Sequence, residues 1–197
     1  MLTAHPFSTA LRLAIFSTVI IGLVSFVFTQ TKNKIQENEH QALLQSLQSV
    51  LSTNRYDNEL SENSIQLDDI TFYRAYKANK PSAVIIKSTS HQGYSGDIQL
   101  LTALDINGSI IAVRILNHQE TPGLGDKIEL RKSNWLLNFS HKTLKDMQSS
   151  TWTVKRDQGH FDQFTGATIT PRAVVNEIRK VGLFFQNNKT QIFPSLK

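Results

Sequence analysis

The stretch FDQFTGATITPRAVV, residues 161–175, places three threonines around a Gly-Ala pair directly before a helical pattern. Thr170 followed by Pro171 predicts that a helix begins here, because threonine is a frequent N-cap and the missing N–H of proline costs nothing at the first helical position. The residues that follow recur at helical spacing, which predicts one apolar face. The apolar residues of this face are Val174, Val175, Ile178, Val181 and Leu183. Gly182 lies near the end of the pattern, where we expect it to loosen the helix.

Thr168 lies two residues before the predicted cap. Unpaired N–H groups and the positive end of the helix dipole favour an anion at this place, so a phosphate group would fit beside Thr168. A plainer interpretation is a strand-to-helix turn that uses glycine for its shape and threonine for capping. The residues alone leave both interpretations open.

The composition narrows the class of protein. A chain of 197 residues has room for one globular domain with a sizeable core and some appendages. Its 21 Lys and Arg outnumber its 16 Asp and Glu, but the positive charges are scattered and form no basic stripe. We therefore predict no nucleic-acid partner.

The sequence contains no cysteine. This excludes disulfides, cysteine-ligated iron–sulfur clusters, zinc sites of the cysteine type and the attachment of c-type haem. If the protein moves electrons, an organic cofactor must carry them.

The N-terminal segment LAIFSTVIIGLVSFVF, which starts at Leu13, contains no charged residue and approaches the ~20 residues needed to cross a bilayer. We predict a transmembrane anchor at residues 13–29, after a short N-terminus of residues 1–12. A cleavable signal peptide is the alternative, but the flank SFVFTQTKNK lacks a small-x-small cleavage pattern, which favours an anchor that is retained. Arg12 precedes the span and Lys32 follows it, so charge alone leaves the orientation open.

Residues 30–69 are predicted to be a stalk helix and a connection. The stretch KIQENEHQALLQSLQSVL has apolar residues at helical spacing, and the polar stretch NRYDNELSENSIQLDD predicts an exposed connection. The globular domain is then expected at residues 70–197.

The globular part contains several β-rich runs. Four are predicted strands: residues 70–76, 82–89, 97–105 and 109–116. Asn107-Gly108 between the last two predicts a hairpin. A short helix is expected around SNWLLNF, and STWTVKRD at residues 150–157 is expected to form another strand. The predicted fold class is α+β: a largely antiparallel sheet with packed helices, preceded by one N-terminal transmembrane helix.

A second unusual stretch, HQETPGLGDKIEL at residues 118–130, follows the predicted hairpin. Its Pro-Gly pair and a further glycine make a turn whose backbone can approach a ligand closely. Glu120, Thr121 and Asp126 offer polar groups on this turn and Leu124 offers an apolar face, a combination that suits a flat ring with polar edges. A solvent-exposed loop without a ligand remains the alternative.

Hydrolase and metal-binding motifs are absent from the sequence. No serine or threonine has the G-x-S-x-G setting of a nucleophile elbow, and neither H-E-x-x-H nor a carboxylate cluster at metal spacing occurs. His118 and His160 are interpreted as loop histidines. We predict neither a catalytic side chain nor a metal site.

Both unusual stretches match one family. DQFTGAT at residues 162–168 resembles the D-x-x-[S/T]-G-A-T flavinylation motif of the covalent FMN-binding domain family, and ETPGLG at residues 120–125 resembles the flavin loop of the same family. The longer stretches ETPGLGDKIELRKSNW and FDQFTGATITPRAVVN are similar to the G-type subunit of Rnf/Rsx electron transport complexes. The resemblance covers roughly residues 8–185.

The resemblance implies that FMN is attached through a phosphoester. Thr168 matches the threonine that accepts FMN from a separate flavin transferase, with FAD as the donor. Thr165 would hydrogen-bond the phosphate region, and Asp162 matches an acidic position that the transferase requires. Gly166 and Ala167 would keep the acceptor hydroxyl accessible.

The resemblance also implies a place for the flavin ring. Glu120, Thr121, Leu124 and Gly125 would line the isoalloxazine site. Lys155 is expected to approach the electron-rich edge of the flavin.

As a member of this family, the chain would be a membrane-anchored subunit that relays electrons through covalent FMN. The complex would couple electron transfer between ferredoxin and NAD to ion translocation, with the other subunits as partners and no turnover by this subunit alone. The implied location is the bacterial inner membrane, as a single-pass protein with a short cytoplasmic N-terminus and a periplasmic flavin domain.

Two alternatives stay open. One is the C-type subunit of a sodium-pumping NADH:quinone reductase, which has a similar domain and anchor, although TPRAVV after GATI and the stretch DKIEL favour the Rnf type. The other is a non-enzymatic anchored module that binds FMN reversibly.

Overall fold

The described part of the N-terminal unit belongs to one long helix. The computed structural model describes residues 6–194, and the chain divides into two compact units, Met1–Leu43 and Leu44–Lys197. Helix α1 spans Pro6–Gln48. Its most apolar window has a mean hydropathy of 2.2 and none of it is buried, so the helix can cross a bilayer by length and composition.

Threonines in the apolar part of α1 direct their hydroxyls back to the helix itself. Thr18 donates to the carbonyl oxygen of Ala14 at 2.8 Å, and Thr31 donates to that of Val27 at 2.8 Å. Their polar groups are therefore satisfied without water, as a segment in lipid requires.

The globular unit is built on a five-stranded antiparallel sheet. Its strands, in chain order and in sheet order, are β1 (Ser64–Leu67), β2 (Ile70–Lys77), β3 (Lys80–Ser90), β4 (Ile98–Asp105) and β5 (Ile110–Asn117). The sheet and its packed helices confirm the predicted α+β class, and four of the five strands lie where the β-rich runs predicted them.

The turn between β4 and β5 confirms the predicted hairpin. Gly108 adopts φ 84°, which favours glycine, and its N–H donates to the carbonyl oxygen of Asp105 at 2.9 Å. The Asp105 carboxylate accepts hydrogen bonds from the backbone N–H groups of Asn107 and Ser109 at 2.8 and 2.9 Å. A local side chain thus fixes the register that the Asn-Gly pair indicates.

Helix α3, Ile169–Ile192, buries its apolar face against the sheet. The residues that pack in this core include Val174, Ile178, Val181 and Phe185 from the helix with Phe72, Val84, Ile86 and Leu100 from the strands. Gly182 does not loosen the helix as expected. It is buried where a Cβ would overlap the sulfur of Met147, in the short helix α2 (Leu144–Gln148), and α3 continues past it to Ile192.

The start of α3 differs from the prediction by two residues. The helix begins at Ile169 with Thr168 at the N-cap position, so Thr170 and Pro171 lie in its first turn. Proline is tolerated there because the first N–H groups of a helix have no intrahelical partner. The hydroxyl of Thr170 donates to Glu120 instead of capping.

Part of the predicted exposed connection lies within the compact globular unit, Leu44–Lys197. It contains β1, whose pairing with β2 places the expected boundary inside a hairpin. The side chain of Asn58 accepts from the N–H of Tyr76 at 2.7 Å and donates to the carbonyl oxygen of Arg74 at 3.0 Å. Polar side chains that bond to a neighbouring strand leave no hydrophobic pattern in the sequence.

The predicted strand at residues 150–157 is wrong. The segment forms one isolated bridge, between Val154 and Phe161, and then a short 3₁₀ helix at Lys155–Asp157. Gln158 follows with φ 63°, and a Cβ at Gly159 would overlap the carbonyl oxygen of Thr153. The chain therefore passes close to Thr153 in a tight loop that only glycine permits at this approach. The predicted helix around SNWLLNF is a 3₁₀ helix, Asn134–Phe139.

Candidate functional site

The FTGA segment forms a tight turn that shapes one wall of a cleft. The N–H of Ala167 donates to the carbonyl oxygen of Phe164 at 3.0 Å, and Gly166, at the third position of the turn, has φ 81°. This is the arrangement of a type II turn, which requires glycine at that position. We call residues Phe161–Thr168 the attachment loop.

A second turn of the same kind shapes the opposite wall. The N–H of Leu124 donates to the carbonyl oxygen of Thr121 at 3.1 Å, Pro122 takes the second position, and Gly123 has φ 79° at the third. We call residues Glu120–Gly125 the Pro-Gly turn.

Asp126, directly after this turn, stabilises it through a hydrogen bond from the turn's backbone. Its carboxyl is 5% exposed, and the N–H of Gly123 bonds to it and holds the pKa of Asp126 below its usual value. Lys132 adds an ion pair at 3.4 Å. Asp126 therefore acts on the backbone of the turn, not as a ligand-binding group at the cleft.

The two turns meet across a cleft of about 260 Å³. A Cβ at Gly166 would lie 3.3 Å from the Cδ2 atom of Leu124, so the leucine side chain packs directly over the glycine. The cleft is lined by Tyr94, Glu120, Thr121, Leu124, Gly125, Gly166, Ala167, Thr168, Ile169 and Thr170. Seven of the ten residues predicted to form the site, from two distant stretches of sequence, thus lie together.

The three threonines have three different environments. The side chain of Thr170 is fully buried and donates to Glu120 at 2.5 Å. Thr165 is exposed on the attachment loop and does not line the cleft. Thr168 lines the cleft, is half-buried, and makes no side-chain capping bond although it holds the N-cap position. Its hydroxyl is therefore available at the start of α3.

Glu120 carries the charge of the cleft. Its side chain is 5% exposed and accepts two hydrogen bonds, from the N–H of Ser95 at 3.1 Å and from the hydroxyl of Thr170 at 2.5 Å. Among the described residues that line the cleft, it is the only one with a charged side chain.

His118 supports Glu120 from behind. Its Nδ1 atom accepts from the N–H of Glu120 at 3.0 Å, so the ring proton of the neutral form sits on Nε2, which faces a carboxylate oxygen of Glu129 at 3.0 Å. Arg131 first, and then His118, hold the pKa of Glu129 below its usual value. His118 is thus a structural histidine within a hydrogen-bonded chain, which agrees with its interpretation as a loop residue.

An aromatic cluster supports the attachment loop from below. Phe161 stacks on Phe139 with ring centroids 4.4 Å apart and meets Trp152 edge-on at 4.7 Å. Trp135 packs against Phe164 and donates its indole N–H to the carbonyl oxygen of Asp162 at 2.8 Å. The two phenylalanines of the loop are buried, which leaves the residues between them exposed.

Three predicted site residues lie outside the cleft. Lys155 and Asp162 form an ion pair at 2.6 Å, with both side chains more than half exposed, and neither they nor Thr165 line the cleft. The charges of Lys155 and Asp162 are therefore paired with one another at the protein surface.

Sequence reasoning missed three residues of the cleft. Tyr94 is 70% exposed, in a loop between Gly93 and Gly96, while Ile169 and Thr170 belong to the first turn of α3. An aromatic residue flanked by glycines in HQGYSGD is the pattern that could have indicated Tyr94.

A second, larger cleft of about 550 Å³ lies between the end of β3 and α3. It is lined mainly by polar residues, with the buried carboxylate of Glu177 beside Lys180. It contains no residue of the attachment loop or of the Pro-Gly turn, so it shares no lining residue with the site that the sequence predicts.

Comparison with known proteins gives two matching family models and a set of relatives of similar length. The FMN-binding domain matches residues 93–181, and the RnfG N-terminal region matches residues 1–50. The G-type subunit of the ion-translocating oxidoreductase complex from Shewanella baltica is 43% identical over 190 residues, which cover 92% of this chain and 90% of that protein. The chain belongs to this RnfG family.

Other members of the RnfG family match this chain with similar identity and coverage. The protein of the same name from Salmonella typhi is 42% identical over 92% of both chains, and that from Vibrio cholerae is 40% identical over 98% of this chain and 95% of that protein. The matched FMN-binding domain includes every residue that lines the smaller cleft, which supports FMN as its ligand and identifies a flavoprotein subunit of an Rnf-type electron transport complex. The RnfG N-terminal region includes all of α1.

Proposed function

We propose that the chain holds FMN covalently through the hydroxyl of Thr168 and relays electrons within an ion-translocating complex. The observation that carries this proposal is the placement of Thr168. Thr168 lines the cleft between the two glycine turns and its side chain makes no capping bond, while the hydroxyl of Thr170, two residues later, is buried and bonded.

The residues of the cleft fit FMN. Leu124, Ile169 and Tyr94 give apolar surface for a flat ring, and Thr121 gives a polar group at its edge. A phosphoester on Thr168 keeps one negative charge, which the start of the 24-residue helix α3 would stabilise. At about 260 Å³ the cleft is below the ~300–1,000 Å³ of typical small-molecule pockets, so a molecule as large as FMN would be only partly enclosed.

A flavin supplies one-electron and two-electron chemistry that no side chain of this chain can supply. The protein contributes position. Gly166 and Gly123 allow the turns to approach the ring, and Thr168 would prevent loss of the cofactor.

Attachment would be a group transfer catalysed by a separate flavin transferase. The Thr168 oxygen would form a bond to the flavin-side phosphorus of FAD, the pyrophosphate linkage would break, AMP would leave, and the hydroxyl proton would pass to solvent. We propose that this enzyme contacts the exposed side chains of Asp162, Lys155 and Thr165.

The apolar helix α1 and the family of the chain support a membrane location. We propose that residues 1–12 are cytoplasmic, that residues 13–29 cross the bacterial inner membrane once, and that the globular unit lies in the periplasm. The names of the relatives support partnership with the other subunits of an ion-translocating oxidoreductase complex. Within it we propose that electron transfer between ferredoxin and NAD is coupled to ion movement.

Denaturing gel electrophoresis of the full chain, co-expressed with a flavin transferase, tests covalent attachment. We expect flavin fluorescence in the wild-type band, none in Thr168→Ala, and a reduced but clear signal in Thr165→Ala. Thr168→Ser, which keeps a hydroxyl, is the matched control for the loss of the methyl group.

Flavin that copurifies with the native protein but leaves the denatured wild-type band would support a module that binds FMN reversibly. Fluorescence that persists in Thr168→Ala and disappears in Thr165→Ala would contradict the assignment of the acceptor.

A further inference from the structure

Glu120 contacts three separate segments of the chain. One carboxylate oxygen accepts from the backbone N–H of Ser95, in the Gly93–Gly96 loop that carries Tyr94, and the other accepts from the hydroxyl of Thr170 in the first turn of α3. Its own N–H donates to His118. The walls of the cleft are therefore connected through one side chain that is only 5% exposed.

Two glycines are packed against this carboxylate. A Cβ at Gly93 would lie 2.9 Å from the Oε1 atom of Glu120, and a Cβ at Gly125 would lie 2.8 Å from its Oε2 atom. The Gly125 position is also 2.9 Å from the hydroxyl oxygen of Thr170. Such distances are closer than side-chain carbons tolerate, so both positions leave space for the carboxylate and for nothing larger.

The described residues that line the cleft carry negative charge and no positive charge. Glu120 has the only charged side chain among the described residues that line it, and Lys155, the cation that the sequence predicts at the flavin site, is paired with Asp162 outside the cleft. A buried charge acts on its neighbours in a medium of low dielectric constant, where its effect is stronger than in water.

We propose that Glu120 is a positioning residue that joins the Gly93–Gly96 loop, the Pro-Gly turn and the start of α3, and that its negative charge lowers the reduction potential of the bound flavin. The statement about the reduction potential rests on the proposed function. Reduction adds electrons to the ring, and a fixed carboxylate beside it makes the added negative charge less favourable. The proposal assigns Glu120 no proton transfer and no direct chemical step.

The potential is tested with Glu120→Gln in the flavin-loaded full chain. The amide can accept from Ser95 through its oxygen and donate to Thr170 through its nitrogen, so it keeps the connections and removes the charge. We expect full flavin attachment and a higher midpoint potential than wild type by spectroelectrochemical titration.

Glu177→Gln is the matched control, because Glu177 is also 5% exposed and lines the other cleft. The flavin of Glu177→Gln should have the same midpoint potential as the flavin of the wild type. An unchanged potential in Glu120→Gln would overturn the electrostatic half of the proposal, and so would a Glu120→Gln protein that carries no flavin, since the charge would then be needed for attachment.

The positioning half is tested without flavin, by amide hydrogen exchange in the full chain. We expect the Ser95 amide to exchange at least several-fold faster in Glu120→Ala than in wild type, and Glu120→Gln to restore most of the protection. Glu177→Ala is the control and should leave the Ser95 amide unchanged. Equal protection of Ser95 in wild type and Glu120→Ala would overturn the positioning role. This result does not depend on covalent FMN, so it separates failure of the inference from failure of the proposed function.

Discussion

Asp157 and Arg172 join the turn before the attachment loop to the first turn of α3. The guanidinium donates to both carboxylate oxygens, at 2.7 and 2.9 Å, and holds the pKa of Asp157 below its usual value. Both side chains remain partly exposed, so the pair acts mainly by orienting the loop.

The sign of the pKa shift predicts how acid affects this pair. The stability that a lowered carboxyl pKa contributes is complete above the unfolded value of about 4, and it is lost as pH falls through the folded value. We expect thermal unfolding, followed by near-UV circular dichroism, to show a weaker decline of the midpoint below about pH 4 in Asp157→Asn than in wild type.

Asp126, Asp146 and Glu129 also have lowered pKa values, so part of the acid decline should persist in that variant. Asp69→Asn removes an exposed carboxylate that has no ion pair in the described part of the chain, and it should reproduce the wild-type decline. Identical acid profiles for wild type and Asp157→Asn would contradict a role for the Arg172 pair.

At the scale of residues, sequence reasoning identifies what is local and misses what is not. The shape of the Pro-Gly turn follows from the preference of proline and glycine for the two central positions of a type II turn. Thr170 precedes a proline, and this local pattern predicts an N-cap. Its real partner, Glu120, lies 50 positions earlier in the chain, where no local pattern connects the two.

The attachment loop depends on elements that carry no chemistry of their own. Phe161 lies on Phe139 and Trp152, while Trp135 holds the backbone of the loop through its indole N–H. These rings come from the 3₁₀ helix Asn134–Phe139 and from the turn after α2. The packing of the buried rings therefore fixes the position of the exposed residues of the loop.

Removal of one of these rings should destabilise the whole globular unit. We expect Phe161→Ala to lower the free energy of unfolding by about 3–5 kcal/mol, as for large truncations in a core. Leu137→Ala is the control, because Leu137 belongs to the same 3₁₀ helix as Phe139 but is 47% exposed, and it should change stability by no more than about 0.5 kcal/mol. Chemical denaturation of the solubilised full chain, followed by tryptophan fluorescence, gives both values. Equal effects of the two substitutions would contradict the supporting role of the cluster.

Elements with long, regular patterns were predicted well, and short ones were not. The strands β2 to β5 and the helix α3 have enough periodic apolar residues to indicate their type. Buried and exposed residues alternate in residues 150–157 as in a strand, with Trp152 and Val154 buried. The close approach of Gly159 to Thr153 bends the chain, so the segment forms only one isolated bridge. The edge strand β1 has only two half-buried residues, too few for a pattern.

At the scale of the whole molecule, the proposed topology depends on the apolar part of α1. Ile20 lies near the middle of the predicted span and its side chain is exposed on the helix surface. The cleft itself forms only when two stretches of the folded chain meet, so its existence could be inferred from the family but not from local sequence.

The proposed topology predicts that flavin attachment depends on export. A reporter that is active only after export should work when fused after Lys197. Ile20→Asp should hinder insertion, because a carboxylate near the bilayer centre costs about 2.5–3.5 kcal/mol, and Ile20→Leu should not.

A chain that begins at Lys32 without an export signal should remain unmodified in the cytoplasm, and a cleavable export signal should restore attachment without the membrane anchor. Efficient flavinylation of the unexported chain, with no transferase in the cytoplasm, would contradict the periplasmic assignment.

Covalent attachment at Thr168 is measured most directly by the mass of the tryptic peptide that contains the attachment loop. Cleavage after Arg156 and Arg172 releases residues 157–172, which include all three threonines of the opening stretch. From the exported full chain, co-expressed with a flavin transferase, we expect this peptide to carry the mass of one FMN less one water, and fragmentation to place that mass on Thr168. An unmodified peptide under these conditions, or the added mass on Thr165 or Thr170, would contradict the account.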